Sequence, residues 1–297
     1  MEKFRSGYVS LIGRPNVGKS TLLNTVLGEK VAIVSPKPQT TRNRLIGIKN
    51  LPDAQIVFVD TPGIHKPKHK LGELMVRDAQ EASKEVDLIL FMVEPEPPGG
   101  GDKFVVEILK GLGKDVFLLI NKVDAVQKPK VLPVIDAYRG LYPFKEIIPV
   151  SALKGDGVDI LLEKIVEYLP EGPKYYPDDI VTDQLERFMA SEIIREKVME
   201  QTEEEIPYSV AVEVTEWTER PSEEGGAVFI RANIYVERKG QRGIIIGKGG
   251  SKLKAVGTGA RLEIEKLLGT KVFLELWVKV KRDWRSNANI LRELGFK

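Results

Sequence analysis

The chain has 297 residues, which is enough for two domains that each bury their own hydrophobic core. A hydrophobic fraction of 42% and a charged fraction of 30% are typical of a globular protein, and the lack of cysteine excludes disulfides, thiolate metal sites and thiol nucleophiles. The net charge of +2 conceals an asymmetry, because residues 183–236 hold 5 Lys/Arg against 13 Asp/Glu and residues 237–285 hold 13 against 5. The second segment is therefore a candidate surface for a polyanion.

No apolar run approaches the length needed to cross a bilayer, and the first five residues contain no apolar signal-peptide core. We therefore expect the protein to reside in the cytoplasm.

The first half of the chain alternates between strand-like and helical patterns. Nearly unbroken apolar runs at 8–12, 55–59, 87–93, 116–120 and 146–150 are typical of strands buried on both faces. The alternation predicts a doubly wound α/β domain with a mostly parallel sheet, over residues 1–170. A Pro- and Gly-rich stretch at 171–182 predicts a linker, and residues 183–297 are expected to form a second, α+β domain with a C-terminal tail.

In that second domain, an apolar stripe that begins at Leu185 predicts a helix at 183–203. Strands are expected at about 208–217 and 227–237, with a polar turn at 222–226 between them. The apolar triplet 244–246 is interpreted as a turn.

The glycine-rich stretch after the first predicted strand is the most informative segment. It matches G-x-x-x-x-G-K-S between a buried strand and an amphipathic helix, which is the context of a phosphate-binding loop. Its backbone N–H groups can point into one concavity, Lys19 can supply a charge for the β- and γ-phosphates, and the Ser20 hydroxyl can ligate Mg²⁺. The predicted phosphate-binding residues are Gly13, Arg14, Pro15, Asn16, Val17, Gly18, Lys19, Ser20 and Thr21.

Three further motifs follow predicted strands, at the sheet edge where open α/β sheets bind ligands. In Asp60-Thr61-Pro62-Gly63, the aspartate can hold a water on Mg²⁺ and the glycine N–H can reach a γ-phosphate. The Asp124 carboxylate can accept two hydrogen bonds from guanine, whereas adenine offers neither donor. A backbone N–H after the last strand can meet guanine O6. The predicted guanine-binding residues are Asn121, Lys122, Asp124, Ser151, Ala152 and Leu153.

Together, in this order, these motifs resemble the GTPase domain of small G proteins related to translation factors. The resemblance implies a P-loop GTPase with GTP and GDP as ligands, Mg²⁺ as cofactor and slow hydrolysis. It assigns the second switch to residues 60–63 and the first to Gln39, Thr40, Thr41 and Arg42, with a threonine hydroxyl as second Mg²⁺ ligand. We favour Thr41 over Thr40, and a polar loop without a ligand role is the alternative. The predicted Mg²⁺ ligands are thus Ser20, Thr41 and, through a water, Asp60.

The group that orients the attacking water is not evident from the sequence. Ras-like enzymes use a glutamine after the second-switch motif. Ile64 stands there and cannot hydrogen-bond a water. Similar G proteins with asparagine at the position of Asn16 bind K⁺, which suggests K⁺-assisted hydrolysis, although Asn16 can equally be a loop-shaping residue. We interpret His65 and His69, which lie among lysines, as part of a solvated loop.

The basic segment of the second half contains a G-x-x-G tetrad. It lies between an apolar triplet and a lysine-rich helix, and the predicted order helix–strand–strand–helix–helix–strand resembles a type II KH domain, whose G-x-x-G loop clamps four nucleotides. An α+β dimerisation domain is the alternative. The predicted RNA-binding residues are Ile246, Gly247, Lys248, Gly249, Gly250, Lys252 and Lys254.

A P-loop GTPase domain joined to a type II KH domain resembles a family of bacterial ribosome-assembly GTPases. The segments 187–196 and 274–280 are similar to sequences distinctive of that family. The resemblance implies that the protein binds a single-stranded segment of 16S ribosomal RNA near its 3′ end, acts in assembly and maturation of the 30S subunit, and associates peripherally with the inner membrane. We also expect a monomer, although the sequence does not determine the oligomeric state. A nucleotide-dependent kinase, or a G protein whose second domain binds protein or lipid, are the rival interpretations.

Overall fold

The computed structural model describes residues 4–37, 39–220 and 226–296, which divide into two units. The first unit extends to Asp183, apart from segments 35–37 and 69–71, which group with the second. Its strands are β1 (Arg5–Gly13), β2 (Leu45–Asn50), β3 (Ala54–Asp60), β4 (Leu88–Val93), β5 (Val116–Ile120) and β6 (Glu146–Pro149). Its helices are α1 (Lys19–Leu27), α2 (Lys70–Lys84), α3 (Gly100–Leu112), α4 (Val131–Arg139) and α5 (Val158–Tyr168).

These strands form a six-stranded sheet in the order β2-β3-β1-β4-β5-β6. All neighbours are parallel except β2, which runs antiparallel to β3 at the edge. The mostly parallel sheet and its five apolar strands agree with the sequence prediction. Strand β2 was not among the predicted strands, because it is half-buried at the edge and lacks a continuous apolar run.

The segment predicted as a linker, 171–182, is hydrogen-bonded to the sheet of the first unit. The Ile48 N–H donates to Val181 O at 2.8 Å, and Gln55 Oε1 accepts from the N–H groups of Tyr175 and Tyr176 at 2.7 and 3.0 Å. Proline and glycine in this stretch exclude a helix, but they do not exclude contacts of its backbone with the sheet.

The second unit contains α6 (Glu186–Glu200), α7 (Ile206–Ser209), β7 (Ala211–Arg220), β8 (Ala227–Val236), α8 (Lys239–Ile246), α9 (Ser251–Leu268), β9 (Lys271–Val280) and α10 (Ala288–Glu293). Its strands are ordered β7-β8-β9, with an antiparallel first pair and a parallel second pair. Apart from the short α7 and α10, this is the predicted order of elements. Residues 222–225 of the predicted turn at 222–226 lie outside the described part of the chain.

One face of this sheet packs against helices through an apolar core that includes Ile194, Ile230, Ala260 and Ile264. Two sequence expectations were wrong in detail. Leu185, predicted on the apolar stripe of α6, is 76% exposed because it precedes the helix as its N-cap residue. The triplet 244–246, interpreted as an apolar turn, ends α8. Within the described part of the chain, no helix combines the length and the apolar character needed to cross a membrane.

Candidate functional site

The phosphate-binding loop joins the carboxyl end of β1 to the first turn of α1. Gly18 is the N-cap residue of α1 and has a φ of 102°, and Asn16 has a φ of 66°, so both are left-handed. A Cβ at Gly18 would lie 2.3 Å from Asn121 Nδ2. Glycine is therefore required at position 18 both for conformation and for space. The result is a backbone concavity at a helix N-terminus, which suits an anion.

Lys19 is buried beneath this loop. Its Nζ donates to Gly13 O at 3.4 Å and to Arg14 O at 3.2 Å. Burial lowers the pKa of Lys19 to about 8, and the nearby carboxylate of Asp60 opposes that effect. Burial destabilises the charged form of this ammonium group, and a nucleotide phosphate bound beside it would stabilise that form.

The three predicted Mg²⁺ ligands lie together. Ser20 Oγ is 2.7 Å from Asp60 Oδ2 and 2.8 Å from Thr41 Oγ1, and Thr41 Oγ1 is 3.2 Å from the same Asp60 oxygen. Adjacent ligands of an octahedral Mg²⁺ with bonds of about 2.1 Å are separated by about 3 Å. The Ser20 and Thr41 oxygens, 2.8 Å apart, therefore fit two adjacent positions of one magnesium shell, and Asp60 lies within hydrogen-bond distance of both.

Asp60 adds a second observation in favour of a cation. Its carboxyl group is fully buried, and Oδ1 has no hydrogen-bond partner among the described residues. Burial raises the pKa of Asp60, although the charge of Lys19 and the hydroxyls of Ser20 and Thr41 lower it. A buried carboxylate oxygen without a donor is costly, so a cation or a metal-bound water nearby would stabilise it.

The second-switch motif is anchored against the phosphate-binding loop. Thr61 Oγ1 donates to Leu11 O at 2.6 Å, and the Ile64 N–H donates to Gly13 O at 2.9 Å. A Cβ at Gly63 would lie 2.7 Å from the Cα and backbone N of Pro15. Only glycine permits this approach of the two backbones, which places residue 63 beside the loop expected to hold the phosphates.

The side chain of Ile64 points away from the site. It is 0% exposed and belongs to the apolar core that includes Ile12, Val59 and Ala79. The residue at the position of the Ras-type glutamine therefore contributes to packing, in agreement with the expectation that it does not orient water.

His65 connects the two predicted switches, which differs from its interpretation as part of a solvated loop. Its Nε2 is 3.1 Å from Gln39 Nε2, and its Nδ1 is 3.1 Å from Gly63 O. Gln39 adopts a left-handed φ of 62°. The sequence did not predict this contact, because the number of lysines around His65 does not indicate which side chain of the segment turns inward.

Asn121 joins three segments of the site. Its Nδ2 donates to Val17 O at 2.7 Å, its Oδ1 accepts from the Ala152 N–H at 2.8 Å, and its own N–H donates to Val93 O at 2.8 Å. The side chain is 2% exposed. Asn121 thus holds the phosphate-binding loop against the loop after β6, a structural role in addition to the predicted contact with guanine.

Asp124 is oriented by Ser151. The Ser151 hydroxyl donates to Asp124 Oδ1 at 2.6 Å and accepts from the Lys154 N–H at 3.1 Å. Ser151 is fully buried, whereas Asp124 is exposed, so the serine fixes a carboxylate that faces outward. Leu153, the next predicted guanine contact, is 73% exposed.

Two cationic side chains of the predicted site, those of Arg14 and Lys122, form ion pairs with neighbouring carboxylates. Arg14 Nε donates to the buried Asp102 at 2.8 Å, and Lys122 forms an ion pair with Glu94. Any phosphate contact of Arg14 is therefore a contact of its backbone.

In the second unit, the G-x-x-G tetrad forms the turn between α8 and α9. Gly247, Gly249 and Gly250 have φ values of 73°, 58° and 80°, a conformation that favours glycine. A Cβ at Gly249 or Gly250 would meet no atom within 4 Å, so the backbone there is open to a ligand. Lys248, Lys252 and Lys254 are exposed around it, whereas Ile246 packs partly against the core.

A groove continues from this turn between α9 and β9. One cavity of 380 Å³ adjoins a second of 570 Å³, and the two share Arg261 and Leu274. The first is lined by Gly250, Leu253, Lys254, Gly257, Thr258, Arg261, Leu274 and Leu276. An apolar floor with basic edges suits bases and phosphates of a single strand. The β9 side of this groove was not predicted as part of the RNA site, because alternation in a strand does not reveal which helix lies against it.

Comparison with known proteins identifies the family. A family model described as "50S ribosome-binding GTPase" matches residues 8–122, and one described as "KH domain" matches residues 205–285. The chain is 58% identical to the GTPase Era of Geobacter metallireducens, with 99% of this chain and 98% of that protein covered. It is 54% identical to the GTPase Era of Ruminiclostridium cellulolyticum, with the same coverage. This chain belongs to the Era family of GTPases.

Two solved Era structures resemble the whole chain. A crystal structure of Era in complex with MgGDPNP and nucleotides 1506–1542 of 16S ribosomal RNA is 46% identical, with a TM-score of 0.95 and 99% of each chain covered. A variant of Aquifex aeolicus Era bound to GDP and AlF₄⁻ is 45% identical, with a TM-score of 0.94 and the same coverage. These matches confirm the P-loop GTPase fold and the KH fold expected from the motifs.

Proposed function

We propose that this member of the Era family is a GTP-controlled switch that binds 16S ribosomal RNA near its 3′ end through its KH unit and acts in assembly and maturation of the 30S subunit. The observation that carries the proposal is the convergence of Ser20, Thr41 and Asp60. It brings a residue of each switch to the serine of the phosphate-binding loop. Loss of the γ-phosphate would therefore be sensed by both switches.

Within the GTP site, the Lys19 ammonium and the backbone N–H groups of residues 13–21, apart from Pro15, bind the phosphates. Ser20 and Thr41 hold Mg²⁺ directly, and Asp60 holds it through a water. Bound Mg²⁺ supplies positive charge to the β- and γ-phosphate oxygens. The 2.8 Å spacing of the Ser20 and Thr41 oxygens and the unpartnered Oδ1 of Asp60 support this assignment.

Guanine is selected by the Asp124 carboxylate, which Ser151 orients. Asp124→Asn should lose GTP affinity and gain affinity for xanthosine triphosphate, because the amide can donate where the carboxylate accepts. Calorimetry with GTP, ATP and the xanthine nucleotide tests this, and Asp136→Asn, an exposed site on α4, is the matched control. Equal binding of ATP and GTP by the unmodified protein would contradict the proposal.

Asn16 would hold a K⁺ ion beside the phosphates in this proposal, and the ion would supply positive charge during hydrolysis. The left-handed conformation of Asn16 in the phosphate-binding loop supports it, since a strained residue at such a place often has a functional role. Single-turnover hydrolysis should be faster in K⁺ than in Na⁺ at matched ionic strength, and Asn16→Ala should remove the difference. Equal rates in the two salts would refute the role of K⁺.

RNA binds at the G-x-x-G turn and along the groove beside α9. Lys248→Asp and Lys252→Asp should weaken retention of a single-stranded 16S rRNA 3′ fragment on filters and lower the salt dependence of binding. Lys130→Asp in the first unit is the control for a change of net charge. Unchanged retention would favour a second unit that recognises protein or lipid.

The two activities must be thermodynamically reciprocal if nucleotide controls RNA binding. Saturating RNA should then change the affinity for a fluorescent GTP analogue by the same factor by which that analogue changes RNA affinity. If neither affinity responds, the units are independent and the switch proposal fails.

A monomeric state is also expected, and the family implies peripheral association with the cytoplasmic face of the membrane; both are part of the proposal. Light scattering at several concentrations tests the first. Flotation with anionic vesicles tests the second, and a protein that remains at the bottom of the gradient in both nucleotide states would contradict it.

A further inference from the structure

We propose that Gln39 positions the water that attacks the γ-phosphate, and that His65 holds Gln39 in place. The inference rests on the GTPase function and identifies a residue of the first switch for the role that position 64 cannot fill. Ile64 is fully buried in the apolar core, so reorienting it would expose its side chain and leave a cavity.

The hydrogen bonds around His65 determine which end of the Gln39 amide faces the ring. Gly63 O is an acceptor only, so Nδ1 of His65, 3.1 Å away, must carry the proton. In a neutral imidazole, Nε2 is then an acceptor. Its partner at 3.1 Å must be the NH₂ group of Gln39. One neutral tautomer satisfies both contacts, and it leaves the amide oxygen pointing away from the ring.

That oxygen is the feature that suggests a ligand. Gln39 Oε1 is buried and has no hydrogen-bond partner among the described residues. A buried amide oxygen without a donor costs on the order of 1–3 kcal/mol. A water that donates to it would remove this cost. The left-handed φ of Gln39, 62°, is a further sign that this residue is held in an uncommon conformation.

The surroundings place this amide at the reacting end of the nucleotide site. Thr41, two residues further along the chain, reaches the Ser20–Asp60 cluster. His65 connects Gln39 to Gly63, whose backbone packs against Pro15 of the phosphate-binding loop. Gln39 is therefore linked through the chain to the predicted metal ligand Thr41 and through His65 to Gly63, the glycine expected to contact the γ-phosphate.

The step is an in-line displacement. The water oxygen forms a bond to the γ-phosphorus while the bond from that phosphorus to the β–γ bridging oxygen breaks. The products are GDP and inorganic phosphate, and the proton of the water ends on the phosphate. Gln39 Oε1 accepts a hydrogen bond from the water and orients its lone pair, and the amide itself is not protonated.

The test measures binding and chemistry separately in the full chain. Gln39→Ala and the size-conserving Gln39→Met should reduce single-turnover GTP hydrolysis at least about tenfold, with GTP and GDP affinities unchanged. Gln127→Ala, which removes an exposed glutamine outside the site, is the control. Unchanged GDP affinity shows that each variant is folded.

A second readout does not depend on turnover. AlF₄⁻ with GDP should raise the melting temperature of the unmodified protein, and this increment should be lost in Gln39→Ala, because the analogue requires a positioned water. His65→Leu should reproduce the Gln39→Ala defect, the double variant should be no worse, and His65→Gln should restore part of the rate because it retains an acceptor.

The outcomes are distinguishable. Hydrolysis by Gln39→Ala within about twofold of the unmodified protein, or a retained AlF₄⁻ increment, would overturn the role of Gln39. Strictly additive losses in the double variant would overturn the role of His65. If the unmodified protein bound GTP but did not hydrolyse it, the proposed function would fail together with this inference.

Discussion

Ile64→Gln tests whether the site can be converted to a Ras-type arrangement by one substitution. From the motif alone, glutamine after Gly63 should accelerate hydrolysis. From the structure it should not, because the side chain at position 64 is enclosed by the apolar core of the first unit. We expect a destabilised protein with no gain in hydrolysis rate.

The magnitude follows from burial. Removing a fully buried isoleucine side chain forfeits about 1.5–3 kcal/mol of apolar transfer free energy. Burying an amide without partners costs about 1–3 kcal/mol more. The sum, about 3–6 kcal/mol, is a large part of the stability of a typical domain, which is about 5–15 kcal/mol. For a unit of this size it corresponds to a decrease in melting temperature of roughly 10 °C.

Thermal unfolding in the GDP-bound state and single-turnover hydrolysis measure the two expected effects. Ile64→Val, which keeps an apolar side chain, is the matched control and should cost only about 1 kcal/mol. A glutamine variant that melts within about 2 °C of the unmodified protein, or hydrolyses GTP faster, would refute the assignment of Ile64 to the core.

Three further substitutions test other parts of the site. Burial lowers the pKa of Lys19 from its ordinary value of 10.5 to about 8 in the nucleotide-free folded protein. Between these two pH values, Lys19 is protonated in the unfolded chain and largely deprotonated in the folded protein, so the unfolded chain binds more protons. The free energy of unfolding, measured in urea, should therefore rise with pH across this window, and the Lys19→Met variant should lack the rise. If the unmodified protein and the variant gave the same pH profile, the burial of a charged lysine would be contradicted. Ser151→Ala removes the donor that orients Asp124 and should weaken GTP binding about tenfold in calorimetry, whereas unchanged affinity would show that the carboxylate needs no such support. Gly63→Ala would bring a Cβ within 2.7 Å of Pro15 and should lower both melting temperature and GTP affinity, while Gly111→Ala, which meets no atom within 4 Å, should lower neither.

The sequence alone was sufficient for the architecture of both units. Parallel strands buried on both faces are continuous apolar runs, and glycine-rich turns occur where φ must be positive, so both are local properties of the chain. This is why five of the six strands of the first sheet and the G-x-x-G turn were predicted close to their observed bounds. The predicted linker at 171–182 is different, because its prolines and glycines indicate a lack of regular structure but carry no information about its contacts with the sheet.

The sequence motifs expected to bind phosphate, γ-phosphate and guanine lie at the carboxyl ends of β1, β3 and β5, and their contacts with nucleotide stay predictions. The family resemblance had already assigned Ser20, Thr41 and Asp60 to one metal site, but only the tertiary structure showed that His65 contacts Gln39 and that Ser151 contacts Asp124. These two pairs join residues 26 and 27 positions apart, in different segments of the chain. Whether the side chain of a loop residue turns toward a site or toward the core depends on how distant strands pack, and the local sequence pattern does not determine that packing.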